Sequence, residues 1–81
     1  DKMTYNEIYA KITDIIRDIV GDIELNKDTA LIEKEIMDSL EIINYLTQIE
    51  EKFNVNISMD ELIENELGII DKMVNYIIEK Q

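Results

Sequence analysis

The stretch IMDSLEII, residues 36–43, sets Asp38 and Ser39 among apolar residues and begins a run at helical spacing. Ser39 is the residue to weigh first. A hydroxyl at this point is either an ordinary part of a helix start or the one atom through which the chain does its chemistry. To act as a nucleophile on its own it would need a base within reach. The chain has no histidine, and no lysine lies close to Ser39 in sequence, so the chain itself is not expected to be an enzyme. Modification is a different matter. The first-turn amides of a helix are unpaired and the helix dipole is positive there, so a phosphate attached at Ser39 would be well placed. Asp38, a like charge next door, works partly against this and suits a role toward a modifying enzyme or its metal ion.

Composition bounds what else is open. Eighty-one residues, 46% hydrophobic and 33% charged, make one domain, 1–81, near the lower size limit for a single core. Cysteine is absent, which removes disulfides and thiolate metal sites, and the absence of histidine removes the commonest metal ligand. No segment has the spaced aspartates, central glycine and closing glutamate of a calcium loop, so no metal site is assigned. The 19 acidic against 8 basic side chains leave a net charge of −11. Such a surface repels nucleic acid and anionic membranes, and it points to basic protein partners. No apolar run approaches the roughly 18 residues of a membrane span. No basic-plus-apolar leader is present, and the opening Asp1 reads as a trimmed start. A soluble, cytoplasmic monomer is expected.

Four helices must position Ser39. Thr4 as N-cap with Glu7, and Met3 facing Ile8, start the first. Ile8, Ile12, Ile15, Ile16, Ile19 and Val20 recur on one face, and Gly21 follows as a left-handed C-cap. Residues 22–37 show no sustained period. They read as a long loop pinned by Ile23, Leu25, Leu31, Ile32 and Ile36, with a function or a short helical turn of its own. The second helix starts at Asp38 as N-cap with Glu41, with Met37 against Ile42, and runs to about Lys52 or Phe53. Ser58 with Glu61, and Ile57 against Leu62, open a short third helix. Gly68 is the predicted N-cap of a fourth, which buries Ile70, Met73, Val74, Ile77 and Ile78. The fold class is all-α: a small four-helix bundle with a long loop between the first and second helices.

On a wheel of about 100° per residue, Ile42, Tyr45, Leu46, Ile49 and Phe53 fall on one side of the second helix. Leu40 lies nearly opposite, beside Asn44, Thr47 and Glu51, with Ile43 at the shoulder. Apolar residues rimmed by Glu41, Gln48, Glu50 and Glu51 suit a docking surface for a basic partner. Single exposed apolar residues are also common without any such role.

The segment DSLEIINYLTQIEEKFNVNIS resembles the central segment of the acyl carrier and peptidyl carrier protein family, and LGIIDKMVNYI is similar to that family's last helix. The likeness covers nearly the whole chain at compatible spacing. It implies a 4′-phosphopantetheine arm, transferred from coenzyme A to Ser39 by a separate magnesium-dependent phosphopantetheinyl transferase. The terminal thiol of that arm would hold acyl or aminoacyl groups as thioesters, a thiol borrowed by a chain without cysteine. It also implies partner docking through Asp38, Leu40, Glu41, Ile43, Glu50 and Glu51 toward loading and transferring enzymes with basic surfaces.

The pathway stays open among fatty acid, polyketide and peptide-type biosynthesis. Asn44 stands where fatty-acid carriers are often acidic, and Glu35, Ile36 and Met37 replace their usual Leu-Gly-Ala. The segment from Ile57 to Ile70 is also about two residues longer than theirs. These features are more similar to the D-alanyl carrier of teichoic acid modification, or to stand-alone aminoacyl carriers. Leu40, where the D-alanyl carrier tends to have methionine, points the other way. The alternative from another class is an unmodified acidic interaction module.

Overall fold

The computed structural model describes residues 1–81. Its elements are α1 (Tyr5–Val20), α2 (Ser39–Phe53), α3 (Met59–Glu64) and α4 (Ile70–Lys80), with no strands. The all-α bundle expected from the periodicity is what forms, with the long connection between α1 and α2 and a third helix of 6 residues.

Three helix starts use the same chemistry. At Thr4, Asp38 and Ser58 the side chain accepts from the amide three residues on, and the glutamate there (Glu7, Glu41 or Glu61) accepts from the cap amide in return. Each box satisfies two of the orphan donors of a helix N-terminus. Gly21 closes α1 at φ 91°, a conformation that costs a side chain dearly, with its amide donating to Arg17 O. Asn54 closes α2 in the left-handed region, at φ 56° and ψ 51°.

The fourth start departs from expectation. The N-cap is Ile69, not Gly68, and no side chain caps it. The long loop does so instead. Ile70 N–H donates to Thr29 O at 3.1 Å and Asp71 N–H to Lys27 O at 2.8 Å, while Ala30 forms an isolated antiparallel bridge with Ile69. Gly68 is buried in this seam. Its carbonyl accepts from Leu31 N–H at 2.8 Å, and a Cβ there would meet Ile32 Cδ1 at 3.0 Å. The loop is thus folded against α4 through its backbone, and residues 31–35 form a hydrogen-bonded turn. Leu31 is fully buried, Ile23, Leu25 and Ile36 are partly so, and Ile32 is 44% exposed, so Ile32 is not one of the anchors.

The core follows the predicted faces. Ile8, Ile12, Ile15 and Ile16 of α1 meet Ile42, Tyr45, Leu46 and Ile49 of α2 and Ile70, Met73, Val74 and Ile77 of α4 in one cluster. Phe53, Ile19, Val20 and Ile78 pack at its edge. α1 runs along both α2 and α4, and α3 packs along none of the other helices to that extent. What holds α3 is Leu62, with Ile57 just before it, both buried.

One core group is anomalous. Tyr45 is fully buried and its hydroxyl has no hydrogen-bond partner, so desolvation pushes its pKa up. A buried hydroxyl left unpaired costs about 1–3 kcal/mol. Tyr45→Phe keeps the ring and removes that cost, and it is expected to raise the urea midpoint by an amount equivalent to about 1 kcal/mol. A lower midpoint would mean that the hydroxyl has a partner after all.

Candidate functional site

Ser39 is the first residue of α2, directly after the Asp38 cap, and it is exposed. Local chemistry puts it there. Asp38 Oδ1 accepts from Glu41 N–H at 2.9 Å, and Glu41 Oε1 accepts from Asp38 N–H at 2.9 Å. The cap therefore works entirely without the Ser39 hydroxyl, which is left free at the positive end of a 15-residue helix. The amides of Ser39 and Leu40 precede the first intrahelical donor and have no helical acceptor. An exposed hydroxyl beside unpaired amides fits a covalently attached phosphodiester, whose oxygens those amides would favour.

Beside Ser39 lies a groove of about 540 Å³, walled by the loop, the start of α2, and α3. Ile32, Met37, Ile43, Met59, Leu62 and Ile63 supply its apolar lining, with Glu35 and Asp38 among its polar residues. A smaller pocket of about 210 Å³ shares Ile32, Leu62 and Ile63 with it and reaches Gly68 and Ile69. The large apolar side chains left exposed on this protein are Ile32, Leu40, Ile43, Met59 and Ile63. Four of the five line the groove with Ser39. Concentration on one face, rather than exposure as such, marks a surface that meets other molecules.

The residues read from the sequence sort into two groups. Leu40 (78% exposed) and Ile43 (53%) do face outward, and Glu51 is exposed beside them on the helix. Glu41 and Glu50 are only half-exposed and already engaged: Glu41 in the cap, and Glu50 with Oε2 accepting from Ile57 N–H at 2.8 Å. Ile32, Met59 and Ile63 belong to the same surface, although the sequence marks Ile32 only as a loop anchor and gives Met59 and Ile63 no role. Ile32 sits in a segment without period. Met59 and Ile63 are one turn apart on a helix too short for its outer face to be read from a pattern.

α3 is positioned by a carboxylate. Glu61 accepts from Ser58 N–H at 3.0 Å and from the Tyr76 hydroxyl of α4 at 2.9 Å. The Ser58 amide, and after it the Tyr76 hydroxyl, hold the Glu61 pKa below its ordinary 4.5. Burial, and then Glu61 itself, push the Tyr76 pKa up. Since the folded state lowers the Glu61 pKa, its contribution to stability is complete above 4.5 and is lost as pH falls through the folded value. Glu61→Gln is therefore expected to flatten part of the acid-side fall in stability, read from urea midpoints across a pH series. Curves that stay parallel to wild type below pH 4.5 would sink this assignment.

Residues 10–77 match the family described as "Phosphopantetheine attachment site". Neither a curated protein nor a solved structure matches the chain. The matched span takes in α2 with its exposed serine, the groove, and most of the core. With residues 10–77 matching this family and a free hydroxyl on the start of α2, the protein belongs to the phosphopantetheine-attachment carrier family, whose members bear a covalently attached 4′-phosphopantetheine.

Proposed function

We propose that residues 1–81 act as a single carrier domain and that Ser39 is the attachment point of its arm. The observation that carries this reading is the unengaged, exposed Ser39 hydroxyl at the α2 N-terminus, in a cap built wholly from Asp38 and Glu41. In the attachment step the Ser39 Oγ–phosphorus bond forms and the pyrophosphate bond of coenzyme A breaks. Adenosine 3′,5′-bisphosphate departs, and the serine proton passes to the magnesium-bearing transferase. Once attached, the arm supplies a thiol on which acyl or aminoacyl groups are held as thioesters. This chain's residues do the rest. In this reading Asp38 faces the transferase and its metal. Leu40, Ile43, Met59 and Ile63 present apolar contacts to partner enzymes, and Glu41, Glu50 and Glu51 present charge. Weak, salt-sensitive docking of this kind lets each partner release the carrier. The groove offers an apolar chain shelter between encounters.

The test is an intact-mass measurement. Incubation of the apo protein with coenzyme A, magnesium and a promiscuous phosphopantetheinyl transferase is expected to add the mass of one arm. No gain would favour the unmodified acidic interaction module.

A second reading of the cargo has its own support. Glu35 stands at φ 55° on the groove wall, where fatty-acid carriers have no acid in their Leu-Gly-Ala. A carboxylate there suits a cargo that carries an ammonium group, such as the alanine of a D-alanyl carrier or another aminoacyl thioester, better than a plain fatty acyl chain. Mass analysis of the protein from its native host, cargo attached, separates the two.

A further inference from the structure

α3 is the least anchored wall of the groove. With 6 residues it is far below the length at which a helix is stable alone, and it packs along no other helix as α1 does along α2 and α4. Its placement rests on two apolar anchors, Ile57 and Leu62, and on polar ties at its leading end. Toward α2, Glu50 Oε2 accepts from the Ile57 amide at 2.8 Å, while Glu50 O accepts from Val55 N–H at 3.3 Å. Toward α4, the Tyr76 hydroxyl lies 2.9 Å from Glu61 Oε2 and 3.3 Å from Asn56 O. The segment between α2 and α3 is thus stitched on both sides, and one stitch is a half-exposed carboxylate on the very helix whose outer face carries the docking residues.

We propose that Glu50 is a latch. While its carboxylate holds the Ile57 amide, α3 is kept against the groove, and a cationic side chain on a docking protein that takes this carboxylate frees α3 and opens the groove beside Ser39. The chemistry requires only competition. A guanidinium binds a carboxylate bidentately, taking both oxygens, and so competes for the Oε2 that accepts from Ile57 N–H. Loss of the Ile57 amide tie leaves α3 with the Ile57 and Leu62 side chains and the Tyr76 side. Met59, Leu62 and Ile63 line the groove, so any outward movement of α3 widens it. The partner in this proposal rests on the carrier reading, but the latch itself does not.

Amide hydrogen exchange, resolved by residue, tests it. Glu50→Ala in the apo protein is expected to speed exchange at Ile57 and at the α3 amides about tenfold. Glu50→Gln, which keeps an acceptor for Ile57 N–H, should stay within about twofold of wild type. Tyr76→Phe should speed the same amides from the other side. In a complex of Ser39→Ala with the transferase, α2 amides should slow while Ile57 and α3 speed up. Unchanged α3 exchange in Glu50→Ala, or slowing of α3 in the complex, overturns the latch. Intact mass of the wild type on the same transferase keeps the two ideas apart. Arm gain with flat exchange sinks the latch alone, and no gain with fast exchange in Glu50→Ala sinks the carrier reading alone.

Discussion

Ser39→Ala is expected to take up no arm at all under conditions that convert the wild type completely, while unfolding at nearly the same urea concentration. The two halves of this result have separate causes. The chain has no histidine and no cysteine, so no stronger nucleophile stands near position 39 to replace the lost hydroxyl. The neighbouring cap belongs to Asp38 and Glu41, whose reciprocal hydrogen bonds do not involve Ser39. An exposed first-turn residue with no partner is one whose truncation stays within about 0.5 kcal/mol of wild type. Mass spectrometry reads the first half and a urea titration the second. A Ser39→Ala protein that still gains an arm would place the attachment elsewhere. One that unfolds markedly earlier would show that the serine is structural.

Ile12→Ala is expected to do the reverse, destroying stability without touching the site. Ile12 lies mid-way along α1, is fully buried, and belongs to the helix that packs against both α2 and α4. Deleting so much of a buried side chain costs about 2–5 kcal/mol, because the lost transfer energy is joined by a cavity that neighbours fill only in part. A domain this small has only about 4–12 kcal/mol of stability in total. The urea midpoint should therefore fall by roughly 1 M or more, given slopes of about 1–2 kcal/mol per molar for small domains. A fall below about 0.5 M would mean that the three-helix packing around α1 is looser than its burial indicates.

The helices and the serine were legible for the same reason: their signals are local. Box-and-staple pairs such as Thr4–Glu7 and Asp38–Glu41 fix a helix start within four residues, and the isoleucine stripe of α1 fixes its buried face from Ile8 to Val20. The wheel of α2 likewise placed Leu40 and Ile43 outward, where they are found. What was not legible depends on partners far away in sequence. Gly68 looked like a cap because glycine is common at helix ends, but the donors at the start of α4 are met by Thr29 and Lys27, some forty residues earlier. Glu50 read as a docking charge, and only the fold brings the Ile57 amide to it. Ile32, Met59 and Ile63 join into one surface with Ser39 only because the loop and α3 fold to the same side. No periodicity links them.

The seam between the loop and α4 has a consequence for how such a chain can vary. A surface connection of this length would ordinarily tolerate insertions and cuts anywhere along it. Here residues 27–31 serve as the missing first turn of another helix, so their length and register are as constrained as those of a core strand. Homologues should vary freely near Asp22 and Glu24, and a proteolytic nick between Lys27 and Leu31 should unravel the far end of the molecule.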